Sequence, residues 1–170
     1  MAKLSARFGL SRYEADEYYR IAIDFYRKNS LQEAIQNMDY ALMLLPNNAE
    51  YWAARGFFYW EDGVMDKAES DFDQALKHNS FEIMGNYGKG AMTYRREEWQ
   101  KALDYFMKAW AADGGRGDTL YYVALCHFRL KHYGEAKKWM TQAQEAYTRQ
   151  NDKTHQKDLE KWLSEIEKWG

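Results

Sequence analysis

A chain of 170 residues, 46% hydrophobic and 29% charged, is long enough for one domain with a real core. Its net charge of −2 leaves no basic face for nucleic acid, and its one cysteine, Cys126, excludes an intrachain disulfide. A single proline and few glycines disfavour a turn-rich β protein. No run approaches the ~18 apolar residues of a membrane span, and Met1–Tyr13 holds no apolar stretch fit for a signal peptide. The expectation is a soluble, cytoplasmic, helical protein.

Taken in chain order, residues 1–14 form an N-terminal segment in which Ser11-Arg12-Tyr13-Glu14 has the form of a capping box and predicts the start of the first helix. From Ala15 the chain repeats itself every 34 residues, with units at 15–48, 49–82, 83–116 and 117–150. Position 20 is Ala34, Ala68, Ala102 and Ala136; position 27 is Ala41, Ala75, Ala109 and Ala143. Position 24 is large and apolar throughout: Met38, Phe72, Phe106 and Met140. Position 8 is small throughout: Ala22, Gly56, Gly90 and Ala124. Small residues that admit a close helix approach, with a bulky one filling the space beside them, describe a tight antiparallel hairpin. After the polar connector Arg149–Asp152, Leu159, Trp162, Leu163, Ile166 and Trp169 recur at helical spacing opposite a charged face, which predicts an amphipathic helix over 151–170.

The first repeat carries Tyr18, Ala22, Phe25, Ala34, Met38, Ala41 and Pro46, and the second Trp52, Gly56, Tyr59, Ala68, Phe72 and Ala75. This pattern resembles the tetratricopeptide repeat (TPR) over residues 15–150. The resemblance implies an all-α fold, a right-handed α-solenoid of four TPR helical hairpins plus a C-terminal capping helix that covers the apolar end of the stack. Departures concentrate in the third repeat, where Asn86, Lys89 and Thr93 replace apolar residues, so local opening is expected there first. The stems of Arg55 and Lys89 are expected to cover apolar surface with their charged heads in water.

In this family the first helix of each hairpin lines the concave face. Positions 4, 8 and 11 already supply a packing stripe, so a second stripe about 100° further round is surplus. That stripe holds Tyr19, Tyr87 and Tyr121 at position 5, with Ile23, Phe57 and Leu125 at position 9. Position 12 is Tyr26, Trp60, Tyr94 and Phe128, edged by Arg27, Arg95 and Arg129. Part of such a stripe must be buried between repeats. The remainder predicts an aromatic-lined groove for a protein or peptide partner with an apolar or aromatic segment, and acidic groups on that partner would meet the arginines. The clamp by which chaperone-binding members grip a C-terminal carboxylate would fall on Tyr19, Ile23, Ala54, Met84 and Gly88, or on Ala53, Phe57, Gly88, Asp118 and Tyr122, and neither set can form it.

Chemistry is not indicated. His127 and His132, five residues apart on a helix, would diverge, and no metal-ligand spacing is present. Gly85, Gly88 and Gly90 lie within a predicted helix and follow no strand, so they form no phosphate cradle. Gly114, Gly115 and Gly117 read as a flexible inter-repeat turn. The expectation is a non-catalytic protein-protein interaction module or scaffold, with no enzyme activity and no cofactor. Two alternatives stand beside it. One is a chaperone for a hydrophobic client, similar to type III secretion translocator chaperones. The other is a self-associating homo-oligomer in which Leu4, Phe8 and Leu10 fill a groove.

Overall fold

The computed structural model describes the backbone of residues 2–169 and the side chains of residues 11–169. The side chains of Leu4, Phe8 and Leu10 therefore lie outside the described residues. The described residues form nine helices: α1 (Ala2–Arg27), α2 (Leu31–Leu44), α3 (Ala49–Glu61), α4 (Met65–His78), α5 (Ile83–Arg95), α6 (Trp99–Ala112), α7 (Gly117–Arg129), α8 (Tyr133–Arg149) and α9 (Lys153–Trp169). Helices α3, α5 and α7 begin on the first residue of the 34-residue ruler. The first helix does not begin at the Ser11 capping box: α1 runs through it from Ala2, because nothing in that sequence breaks a helix and a capping box is compatible with helical interior. None of the nine is long and apolar enough to cross a membrane.

The chain divides into two compact units, residues 1–85 and 86–170. In the first, α1 packs on α2 and α3 on α4, with α2 against α3. Its core joins Ala15, Ala22, Ala34, Met38, Ala41, Tyr51 and Phe58, all essentially inaccessible. In the second, α7 packs on α8, α6 on α7 and α8 on α9, around Phe106, Leu120, Val123, Ala124 and Met140.

Position 8 is fitted to its partner at position 24. A Cβ on Gly56 would stand 3.0 Å from the Phe72 ring, and one on Gly90 would stand 2.9 Å from Phe106. Phenylalanine at 24 therefore requires glycine at 8, whereas the repeats with the slimmer, pliable Met38 and Met140 carry Ala22 and Ala124. Each hairpin turn is a Schellman motif. Asn29, Gly63, Glu97 and Lys131 hold left-handed φ of 59°, 79°, 62° and 64°. All four stand at position 15 of their repeats, and the next residue's N–H reaches back five residues, as in Ser30→Phe25 and His132→His127, both 2.9 Å.

Two sequence expectations change. The head of Arg55 is not in water. It donates to Asp71 at 2.7 and 2.9 Å and to Asp39 at 2.6 Å, and it lies over the Trp52 ring at 4.8 Å. Asp71 is only 4% exposed, and burial holds its carboxyl above the usual range against the pull of Arg55. Lys89 is likewise buried. Thr93 of the third repeat is accommodated locally: its hydroxyl donates back to the carbonyls of Lys89 and Gly90 at 2.8 and 2.9 Å.

Candidate functional site

In the first unit the predicted stripe is a run of half-buried rings on α1 and α3. Tyr26 stacks on Phe58 at 5.2 Å and meets Phe57 edge-on at 5.7 Å. Tyr19 lies 5.3 Å from Tyr51 and donates its hydroxyl to Glu50 at 3.0 Å. Burial, reinforced by the Glu50 carboxylate, pushes the Tyr19 phenol far above its ordinary range, so it stays a neutral donor. Trp60 leans on Phe72 at 6.2 Å, and Ile23 packs against the core while keeping a partly open edge. Arg27 is exposed and pairs weakly with Asp24 at 3.6 Å.

In the second unit Tyr94 is the centre. It meets Trp99 at 4.8 Å and Tyr122 at 5.7 Å, and its hydroxyl accepts from Arg129 Nε at 3.3 Å. The Arg129 guanidinium also lies 5.5 Å over Trp99. Tyr87 and Tyr121 flank Tyr122 at 5.8 and 5.5 Å, and Phe128 lies between Tyr133 and Trp162 of α9. Each such ring pair is worth about 0.5–1.5 kcal/mol beyond burial, so these faces are preformed. Arg95 is exposed. Leu125 lies on the buried part of the stripe: it is 5% exposed and belongs to the core.

Several residues on these faces were missed by sequence reasoning. Tyr122 stacks on Phe106 at 5.0 Å and touches three further tyrosines, yet position 6 shows no aromatic in the other repeats, where it is Arg20, Ala54 and Gly88. Trp99 and Trp162 come from α6 and α9, outside the first helices altogether.

The expected divergence of His127 and His132 fails. α7 ends at Arg129 and His132 caps α8, so the turn folds the two rings to 5.7 Å. Among the described residues no group of three or more histidine, cysteine, aspartate or glutamate side chains is placed to hold a metal ion. Burial pushes the Cys126 thiol up to about 12, which leaves it an unreactive core residue.

Comparison with solved structures follows from this geometry. MamA (residues 41 to the end) from Desulfovibrio magneticus RS-1 superposes with a TM-score of 0.64 at 20% identity, over 91% of this chain and 96% of that one. PilF of Pseudomonas aeruginosa gives 0.69 at 13% identity, over 92% and 78%. The first TPR of Spaghetti, bound to an HSP90 peptide, gives 0.62 at 15% identity, over 70% and 94%. The chain has a tetratricopeptide-repeat fold. No family model and no curated protein matches its sequence. Within the TPR frame, the rings on α1 and α3, and those on α5 and α7, are the first-helix residues of successive hairpins.

Proposed function

We propose that this TPR chain is a non-catalytic interaction module that holds a polypeptide partner on the aromatic faces of its first helices. The observation that carries the reading is position 12, where Tyr26, Trp60, Tyr94 and Phe128 remain half-buried although a complete packing stripe lies elsewhere on the same helices. Rings held in place by their neighbours and open at one edge bind at low entropic cost. Each unit offers such a face. The partner that suits it is an extended or helical segment with apolar or aromatic side chains, carrying acidic groups toward Arg27, Arg95 and Arg129. A relative of the same fold was solved holding an HSP90 peptide, which supports peptide binding as a use of the fold; the residues that would clamp that kind of tail are missing from this sequence.

The test is affinity capture from source-cell lysate with wild type and the Tyr26→Ala/Trp60→Ala/Tyr94→Ala variant, after circular dichroism has shown both folded. The expected result is a partner retained by wild type and lost by the variant. Equal retention would remove the aromatic faces from function.

A further inference from the structure

The second unit contains a cavity of about 410 Å³ that meets the aromatic faces only at Tyr87. Tyr87 of α5, Arg116 and Asp118 at the start of α7, Tyr147 and Gln150 at the end of α8, and His155 line it. Its central ring is built in. Tyr147 is 6% exposed and stacks on the His155 imidazole at 4.7 Å, nearly parallel at 7°. On the other side its carbons occupy the place of a side chain on Gly117, where a Cβ would stand 2.9 Å away. His155 is in turn fixed by Asp152 through Nδ1 at 2.6 Å.

The cavity has more donors than acceptors. Among the described residues, neither the Tyr147 nor the Tyr87 hydroxyl has a hydrogen-bond partner. Arg116 spends Nε and Nη2 on Asp118, at 3.3 and 2.9 Å, and keeps its other amino group. The Asp118 carboxylate accepts from Arg116 on both oxygens and from the N–H and hydroxyl of Thr119 on Oδ1. Tyr147 is buried as a residue and Tyr87 half-buried, but neither phenol oxygen is sealed off, so both stand open to an acceptor that enters the cavity.

The chain itself shows what is missing. Tyr19 holds the same repeat position as Tyr87, and its hydroxyl is satisfied by Glu50, at the repeat position of Asp118. In the second unit that acid is one methylene shorter and turned toward Arg116, so no carboxylate reaches the phenols. We propose that the Tyr87–Tyr147 cavity is a binding site for a carboxylate supplied from outside the chain, received by the two phenols and the free edge of Arg116. With one Arg and one Asp already paired, the cavity suits a monoanion better than a phosphate dianion. The inference builds on the reading that the chain binds polypeptides, but its site is separate and shares only Tyr87 with the aromatic faces.

Three blocked tripeptides test it against ¹⁵N-labelled protein by NMR: acetylated, amidated Gly-Glu-Gly; its Gly-Gln-Gly counterpart; and acetylated Gly-Gly-Gly with a free C-terminus. The expected result is saturable shifts at Gly117, Asp118 and Gln150 with one or both carboxylate probes and none with the glutamine probe. A response to Gly-Glu-Gly identifies an acidic side chain as the source, and a response to the free C-terminus identifies a chain end. Tyr87→Phe and Tyr147→Phe keep the rings and should each weaken binding about tenfold, while Tyr94→Ala on the aromatic face leaves it unchanged. Equal shifts from the glutamine probe, no saturable shift from either acid, or wild-type binding by both phenylalanine variants would overturn the inference. So would loss of binding in Tyr94→Ala alone, which would assign the carboxylate to the aromatic face.

Discussion

His127 shows how much one residue's chemistry depends on what its repeat position asks of it. Position 11 takes an aromatic in the first two repeats, Phe25 and Tyr59, and here an imidazole takes that half-buried place. Its Nδ1 is shut away with no hydrogen-bond partner among the described residues. Burial, and then the neighbouring His132, push its pKa below the ordinary value of 6.5. The folded chain therefore prefers the neutral ring while the unfolded chain protonates more readily. The stability this contributes is complete above pH ~6.5 and is lost as pH falls from there through the lower folded value. Denaturation midpoints measured from pH 7.5 to 5.5 should fall with acid in wild type, and the slope should flatten in His127→Leu. An unchanged slope would show that other groups govern the acid limb.

At the scale of the element, the hairpin turns repay attention. Four turns use the same left-handed position, yet only Gly63 occupies it without steric cost. Lys131 adopts φ 64° with a full side chain and no bonded role for it in the turn, since the motif is made by backbone groups alone. Lys131→Gly should raise stability by about 1 kcal/mol, read from the urea midpoint at constant slope. A loss of stability would mean that glycine's freedom in the unfolded chain outweighs the relief of strain. This turn geometry could not be read from the sequence, because asparagine, glycine, glutamate and lysine share no composition that announces it. The helices were legible for the opposite reason. Eight alanines and four bulky residues in register can satisfy only one kind of packing. The aromatic faces were legible in part: position 12 stood out, while Tyr122, Trp99 and Trp162 join through tertiary contacts that no period encodes. The Tyr87–Tyr147 cavity was invisible, since it gathers three separated segments and depends on a glycine that read as part of a flexible turn.

For the molecule as a whole, a stack of hairpins is only as sound as its ends. In the second unit α9 closes one end by burying Leu159 and Ile166, each 1% exposed, against α8. Around them Trp162 meets Phe128, and Glu167 accepts from Lys137 at 2.8 Å. Leu159→Ala should therefore cost about 3 kcal/mol, seen as a lowered thermal midpoint, with amides of α8 and α9 losing hydrogen-exchange protection. Undiminished protection in α8 would show that its own hairpin holds it without the terminal helix.

Gly117 ties that closure to a single atom that is not there. The Tyr147 ring occupies the volume of its absent side chain and passes the contact on to His155, so the seating of α9 is written into the first residue of α7. The corresponding residues of the two preceding repeats are Ala49 and Ile83. Transplanting the terminal helix onto either of those repeats together with Tyr147 of α8, the ring it rests on, would set a methyl or larger group against that ring. The terminal helix is thus not a portable end-piece; it travels only with the glycine beneath it.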